Sequence, residues 1–102
     1  MSLIDNFEKL LVECRDNPLL RFTLGNEYLK AGDATRAIVH LRAAVEKDAG
    51  YSAAWKLLGK ALTQAGEIAS AREAYTIGID RAEAKGDKQA AKEMAVFLKR
   101  LG

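Results

Sequence analysis

Apolar residues recur along this chain at spacings of three and four, with charged residues between them. Residues 3–15 place Leu3, Phe7, Leu10, Leu11 and Cys14 on one stripe at offsets of 4, 7, 8 and 11, the period of an amphipathic helix. Asp16-Asn17-Pro18 stops that helix and starts the next, with Asn17 as N-cap and Pro18 at the first helical position. The pattern predicts further helices over about 18–31, 34–48, 52–65 and 68–84, with Ser52 capping the fourth. Lys85-Gly86-Asp87 is a second stop-start signal. A last helix over about 88–101 carries Ala90, Met94, Phe97, Leu98 and Leu101 on one stripe. No segment shows the two-residue alternation of a strand between turn residues, so the expected fold is all-α.

Two glycines in "WKLLGKALTQAG" (55–66) need a reason, because glycine inside a helix costs about 0.5–1 kcal/mol relative to alanine. Setting residues 21–45 against 55–79 supplies one. Gly25 maps to Gly59, Gly32 to Gly66, Leu24 to Leu58, Ala31 to Ala65 and Ala37 to Ala71, each offset by 34 (59 − 25 = 34). Tyr28 pairs with Leu62, Leu41 with Tyr75 and Val45 with Ile79, keeping a large apolar residue at each place. Gly25 and Gly59 then fall mid-helix, where a missing side chain lets a neighbouring helix approach. Gly32 and Gly66 follow a helix and take the left-handed conformation that ends it. Asp33 and Glu67 come next, where a negative charge suits the dipole of the following helix.

These residues resemble tetratricopeptide repeats (TPRs). The family's aromatic, Leu-Gly, aromatic or leucine, turn glycine, small residue and large apolar residue appear as Trp55, Leu58-Gly59, Leu62, Gly66, Ala71 and Tyr75. The upstream copy has Leu24-Gly25, Tyr28, Gly32, Ala37 and Leu41, and Ala44 and Gly78 are small late in each second helix. The chain departs at Arg21, where an aromatic is usual and Phe22 stands next to cover for it. It departs again at Ala49 and Glu83, where a proline usually ends the repeat. The resemblance extends to small, free-standing bacterial TPR proteins. It implies a single domain over 1–102, a short right-handed α-solenoid of two helix-turn-helix repeats at 18–51 and 52–85. An N-terminal helix (3–15) and a C-terminal capping helix (87–101) flank them, covering repeat faces that a helix pair cannot bury alone.

In the family the first helix of each repeat lines a concave peptide groove. The resemblance assigns that face to Leu19, Phe22, Asn26, Leu29 and Lys30 in the first repeat, and to Ala53, Lys56, Lys60, Thr63 and Gln64 in the second. Lys56 and Lys60, four apart, share a helix face where like charges repel by a few tenths of a kcal/mol, so an anion would be welcome. Two readings stay open for them, a binding site or solvated surface. Phe22 is open between an apolar shelf and a core residue, and Asn26 between a ligand contact and a local hydrogen bond. The expected partner is a protein or peptide with an acidic or C-terminal carboxylate group and one or two apolar side chains. The carboxylate clamp of chaperone-binding TPRs is not expected. Asn26 matches one of its positions, but Phe22 and Leu57 stand where the clamp has lysine and asparagine. The alternative function is structural self-association as a homodimer through an end helix, with Met94, Phe97, Leu98 and Leu101 buried against a second copy.

Composition narrows the remaining classes. The 102 residues are 49% hydrophobic, enough for one core, and 16 basic against 14 acidic groups leave a formal charge of +2, which argues against nucleic-acid binding. Charge is uneven: residues 1–17 hold two basic and four acidic groups, net −2, while 85–102 hold five basic and two acidic, net +3. The N-terminal stretch has neither a basic leader nor a membrane span, and the single cysteine, Cys14, excludes an internal disulfide. A cytoplasmic protein is the expectation. Cys14 reads as a small core residue. His40, alone of its kind, is expected at the surface without a partner. No phosphate loop, metal spacing or nucleophile motif appears, so no enzyme activity, cofactor or metal is expected.

Overall fold

The three-dimensional structure is a computed structural model that describes residues 2–13 and 15–102. Cys14, expected in the core, lies outside the described residues. Six helices follow one another: α1 (Leu3–Val12), α2 (Pro18–Lys30), α3 (Ala34–Lys47), α4 (Ser52–Gln64), α5 (Ile68–Ala84) and α6 (Lys88–Arg100). Among the described residues there is no strand.

Local chemistry sets most of the boundaries. The Asn17 side chain accepts the Leu20 amide at 2.8 Å, with Pro18 opening α2. Asp33 caps α3 through the Arg36 amide at 3.1 Å, and Asp87 caps α6 through Ala90 at 3.2 Å. Ser52 does not cap α4. Tyr51 occupies that place without a side-chain bond, and the Ser52 side chain, 2% exposed, turns back toward the Gly50 carbonyl. α2 and α4 end alike. Gly32 and Gly66 adopt φ of 82°, and paired bonds close each turn, Asp33 N–H to Tyr28 O at 2.9 Å and Glu67 N–H to Leu62 O at 2.8 Å. That is the Schellman arrangement, which satisfies carbonyls the helix end leaves open.

The helices form two layers. α2, α4 and α6 lie side by side as an inner layer, while α3 and α5 pack outside them and α1 lies against α2. The layers close on Leu24, Leu41, Leu58 and Leu62 in one cluster and Tyr75 and Met94 in the next. The mid-helix glycines are where the layers touch. A Cβ at Gly25 would fall 2.5 Å from Leu41, and one at Gly59 would overlap the Tyr75 ring. At Gly78 it would meet Met94 at 2.6 Å and Trp55 at 2.7 Å, so this glycine sits between two inner helices at once.

A second expectation fails besides the Ser52 cap. His40 is buried, 8% exposed, with its ring stacked on Tyr28 at 5.4 Å. Its Nδ1 lies 3.1 Å from Arg21 Nη1, and arginine only donates, so Nδ1 accepts and the ring proton sits on Nε2. Nε2 faces Glu8 Oε1 of α1 at 3.2 Å, a buried oxygen that accepts no aligned hydrogen bond among the described residues. Arg21 continues the chain of contacts as a two-pronged bond to Asp16 at 2.9 and 3.0 Å, and Lys47 reaches the same carboxylate at 3.5 Å. Burial pushes the His40 pKa down, and the Arg21 hydrogen bond holds Asp16 below the usual carboxylate value. The cluster ties α1 to α2 and α3.

Candidate protein-interaction surface

The residues assigned to the inner face sit on α2 and α4, which the inner layer brings side by side. Their environments differ. Leu19 is 64% exposed, and Lys30 pairs with Glu27 of its own helix at 3.2 Å. Leu29 is half-buried against the core, and Asn26 is also half-buried. Phe22 packs on Tyr51 with ring centroids 5.1 Å apart, which joins α2 to the entry of α4 and leaves only part of the ring open. Ala53 and Gln64 are exposed, and the Thr63 hydroxyl donates back to the Gly59 carbonyl at 2.8 Å.

Lys56 and Lys60 are separated by what faces them. The anion that Lys56 wants comes from within the chain: its Nζ lies 2.8 Å from Glu93 Oε1 on α6. This bond holds the Glu93 carboxyl below its usual range. Lys60 instead sits over the Phe97 ring, 4.8 Å from its centroid, and Arg100 approaches the same ring at 5.9 Å. Among the described residues neither Lys60 nor Arg100 has an ion-pair partner. A ring face attracts a cation by about 0.5–1 kcal/mol at an exposed site, so both cations keep their charge available to an anion.

Around them lies a cavity of about 350 Å³. Lys60, Thr63 and Gln64 line it from α4, Phe97 and Arg100 from α6, Leu101 from just past the end of α6, and Tyr75 from α5. Tyr75 is 2% exposed, its ring 5.9 Å from that of Phe97. The arrangement is an apolar recess with two cations at its rim. It suits an apolar side chain beside a carboxylate, since the apolar group leaves water while the charge stays at the opening.

Sequence reasoning placed Phe97 and Leu101 on a hidden stripe and passed over Glu93 and Arg100. The spacing of helix starts carried the missing signal. From α2 to α4 it is 34 residues (52 − 18), but from α4 to α6 it is 36 (88 − 52), because α5 is three residues longer than α3 while the turn after it is one residue shorter. Counting in steps of 34 therefore gives α6 the wrong face. Other chemistry is thin. Among the described residues no three His, Cys, Asp or Glu side chains group to hold a metal ion, and no helix is long and apolar enough to cross a membrane.

Comparison with known proteins gives consistent matches. A tetratricopeptide repeat family profile matches residues 28–93. A TPR repeat-containing protein of Pseudomonas aeruginosa is 56% identical over 99 residues, spanning 97% of this chain and 94% of its own. A solution structure of a Bordetella parapertussis protein is 44% identical with a TM-score of 0.85, covering 99% of this chain and 88% of that one. The Sgt2 TPR domain of Aspergillus fumigatus is 30% identical with a TM-score of 0.80, covering 95% of this chain and 64% of that one.

Proposed function

The chain belongs to the tetratricopeptide repeat family, whose members generally mediate protein–protein interaction, and from that premise we propose a non-catalytic module that binds a peptide segment of a partner protein on its inner face. The repeats run over 18–51 and 52–85 within a single domain, and the module works in the cytoplasm. The surface extends from Leu19, Phe22, Asn26, Leu29 and Lys30 to Lys56, Lys60, Thr63 and Gln64. Its anchoring end is the recess between α4 and α6. One observation carries the reading: Lys60 and Arg100 flank Phe97 over an apolar cavity, with no carboxylate paired to either among the described residues. The partner segment therefore carries an apolar side chain next to an acidic or C-terminal carboxylate group.

The test is an NMR titration of the labelled protein with two short capped peptides, one alternating leucine with glutamate and one leucine with lysine. The acidic peptide is expected to shift the amides of Lys60, Thr63, Gln64 and Arg100, and Lys60→Glu with Arg100→Glu to abolish the effect. Equal responses to both peptides, or shifts confined to α1 and α3, would sink the proposal.

A further inference from the structure

The inner and outer layers alternate along the chain, and the two flanks of the solenoid are complementary in shape and charge. α1 follows the outer-helix pattern at the 34-residue offset. Phe7 corresponds to Leu41 and Tyr75, Leu3 to Ala37, and Leu10 to Ala44 (7 + 34 = 41, 41 + 34 = 75). In α3 the last two positions are wholly buried, whereas Leu3 is 52% exposed and Leu10 half-exposed. The side of α1 that an outer helix turns toward an inner helix is thus only partly covered.

α6 shows the converse. At the 36-residue offset Met94 corresponds to Leu58, Leu98 to Leu62 and Ala95 to Gly59 (59 + 36 = 95). Gly59 lies buried beneath Tyr75, but Ala95 is exposed and Leu98 only half-buried. Beside them runs a groove of about 580 Å³ between α5 and α6. Its apolar lining is Ile79, Ala91 and Ala95, with Lys88, Lys92 and Glu83 around it.

We infer that this groove receives α1 of a second copy of the chain, continuing the layer alternation head to tail. The internal contacts give the register. Leu41 sits over Gly25, Tyr75 over Gly59 and Gly78 beside Trp55, so facing residue numbers sum to 66, 134 and 133 in antiparallel helix pairs. Placing the second copy's Phe7 over Ala95 gives a sum of 102. Leu3 then falls opposite Leu98, and Glu13 opposite Lys88, each pair summing to 101. Apolar meets apolar along the stripe, and Glu13, the residue that follows α1, meets Lys88 at the end of the groove, an attraction partly offset where Lys9 comes opposite Lys92 (9 + 92 = 101). The net charges of −2 over residues 1–17 and +3 over 85–102 favour the same approach. The Cβ of Ala95, absent at Gly59, keeps the incoming helix further out than Tyr75 sits inside the chain, so the contact is reversible. Because the two surfaces differ, the association is heterologous and does not stop at two copies.

Sedimentation of the whole chain across a concentration series at low ionic strength tests this. The average mass is expected to rise past that of a dimer and to fall on adding salt. Leu3→Glu and Ala95→Glu, both exposed positions, should each lower the association constant at least tenfold while keeping the helical circular dichroism. An equimolar mixture of the two joins one intact α1 to one intact groove and should form a complex of two chains and no more. Glu13→Lys and Lys88→Glu should each weaken assembly alone and restore it when mixed. A wild-type mass of one chain at millimolar concentration would overturn the inference. So would a plateau at two copies, or a mixture that stays monomeric. Lys60→Glu alone, which changes neither the groove nor the charge of residues 85–102, should weaken peptide binding and leave this assembly intact, so failure of peptide binding and failure of self-association are read separately.

Discussion

Gly59→Ala sets two known effects against each other at one atom. Alanine is favoured over glycine in a helix interior by about 0.8–1 kcal/mol, so propensity alone makes the variant more stable. Packing opposes it. The new Cβ would overlap the edge of the Tyr75 ring, which is 2% exposed, and displacing the ring would push it toward Phe97, 5.9 Å away, and disturb the recess they line. Overpacking of this kind costs about 1–3 kcal/mol and occasionally more. We expect packing to win, with a net loss of about 1–2 kcal/mol measured by urea unfolding followed by far-ultraviolet circular dichroism. The decisive control repeats the substitution in a Tyr75→Ala background. That background is itself weaker by about 3–5 kcal/mol, but it removes the obstacle. There Gly59→Ala should stabilise by about 0.8–1 kcal/mol, reversing its sign. A stabilising effect in the wild-type background, or the same loss in both, would refute the close-approach argument.

At Gly66 the obstacle is the backbone. A Cβ there meets nothing within 4 Å, but φ is 82°, so Gly66→Ala should cost about 1–2 kcal/mol in the same urea assay, and Gly66→Asn less. Asn17→Ala removes the cap on Leu20 and should cost about 1 kcal/mol, whereas Ser52→Ala should leave helix capping unaffected. For pH, burial lowers the His40 pKa in the fold, so the unfolded chain binds more protons just below pH 6.5. Stability from this residue is then full above 6.5 and lost as pH falls through the folded value. Asp16, held down by Arg21, loses its contribution below 3.8. Urea midpoints between pH 7.5 and 5 should drop for the wild type and flatten in His40→Asn; a flat wild-type profile would contradict the buried-histidine reading. Lys56→Glu should loosen α6 from α4 and Glu93→Lys added to it should restore the contact, read as hydrogen-exchange protection at α6.

The helices were legible because their signals are local. Asn17-Pro18, the turn glycines 32 and 66, and Asp87 each act within a few residues of themselves, and the structure uses them as the sequence suggests. Ser52 misled because the residue type suits a cap while its side chain is drawn inward toward the Gly50 carbonyl. The candidate surface was legible only by half. Its α2 and α4 positions follow from the repeat, but the partners that decide what those residues do lie on α6, 37 residues beyond Lys56 and Lys60 alike (93 − 56 and 97 − 60). No local pattern reports such a contact. It appears once the longer α5 has set where α6 lies.

His40 and Arg21 make the same point from inside the core. At the 34-residue offset they stand where the second repeat has Ala74 and Trp55 (40 + 34 = 74, 21 + 34 = 55). Trp55 and Ala74 line one cleft, with the indole N–H donating to the Ala49 carbonyl at 2.8 Å. Arg21 and His40 fill the corresponding place with a polar pair that hydrogen-bonds at 3.1 Å. A large residue over a small one has become two of intermediate size, so an aromatic missing at position 21 and an unexpected histidine at 40 are a single compensated change. Read singly, His40 looked like a surface residue and Arg21 like a lost aromatic for which Phe22 stands in. Read together against the repeat, the pair accounts for its own burial, and the polar atoms it brings inside also explain why α1 is held by Glu8 as well as by its apolar stripe. The residues that break a repeat's pattern are best interpreted two at a time, across the interface they share.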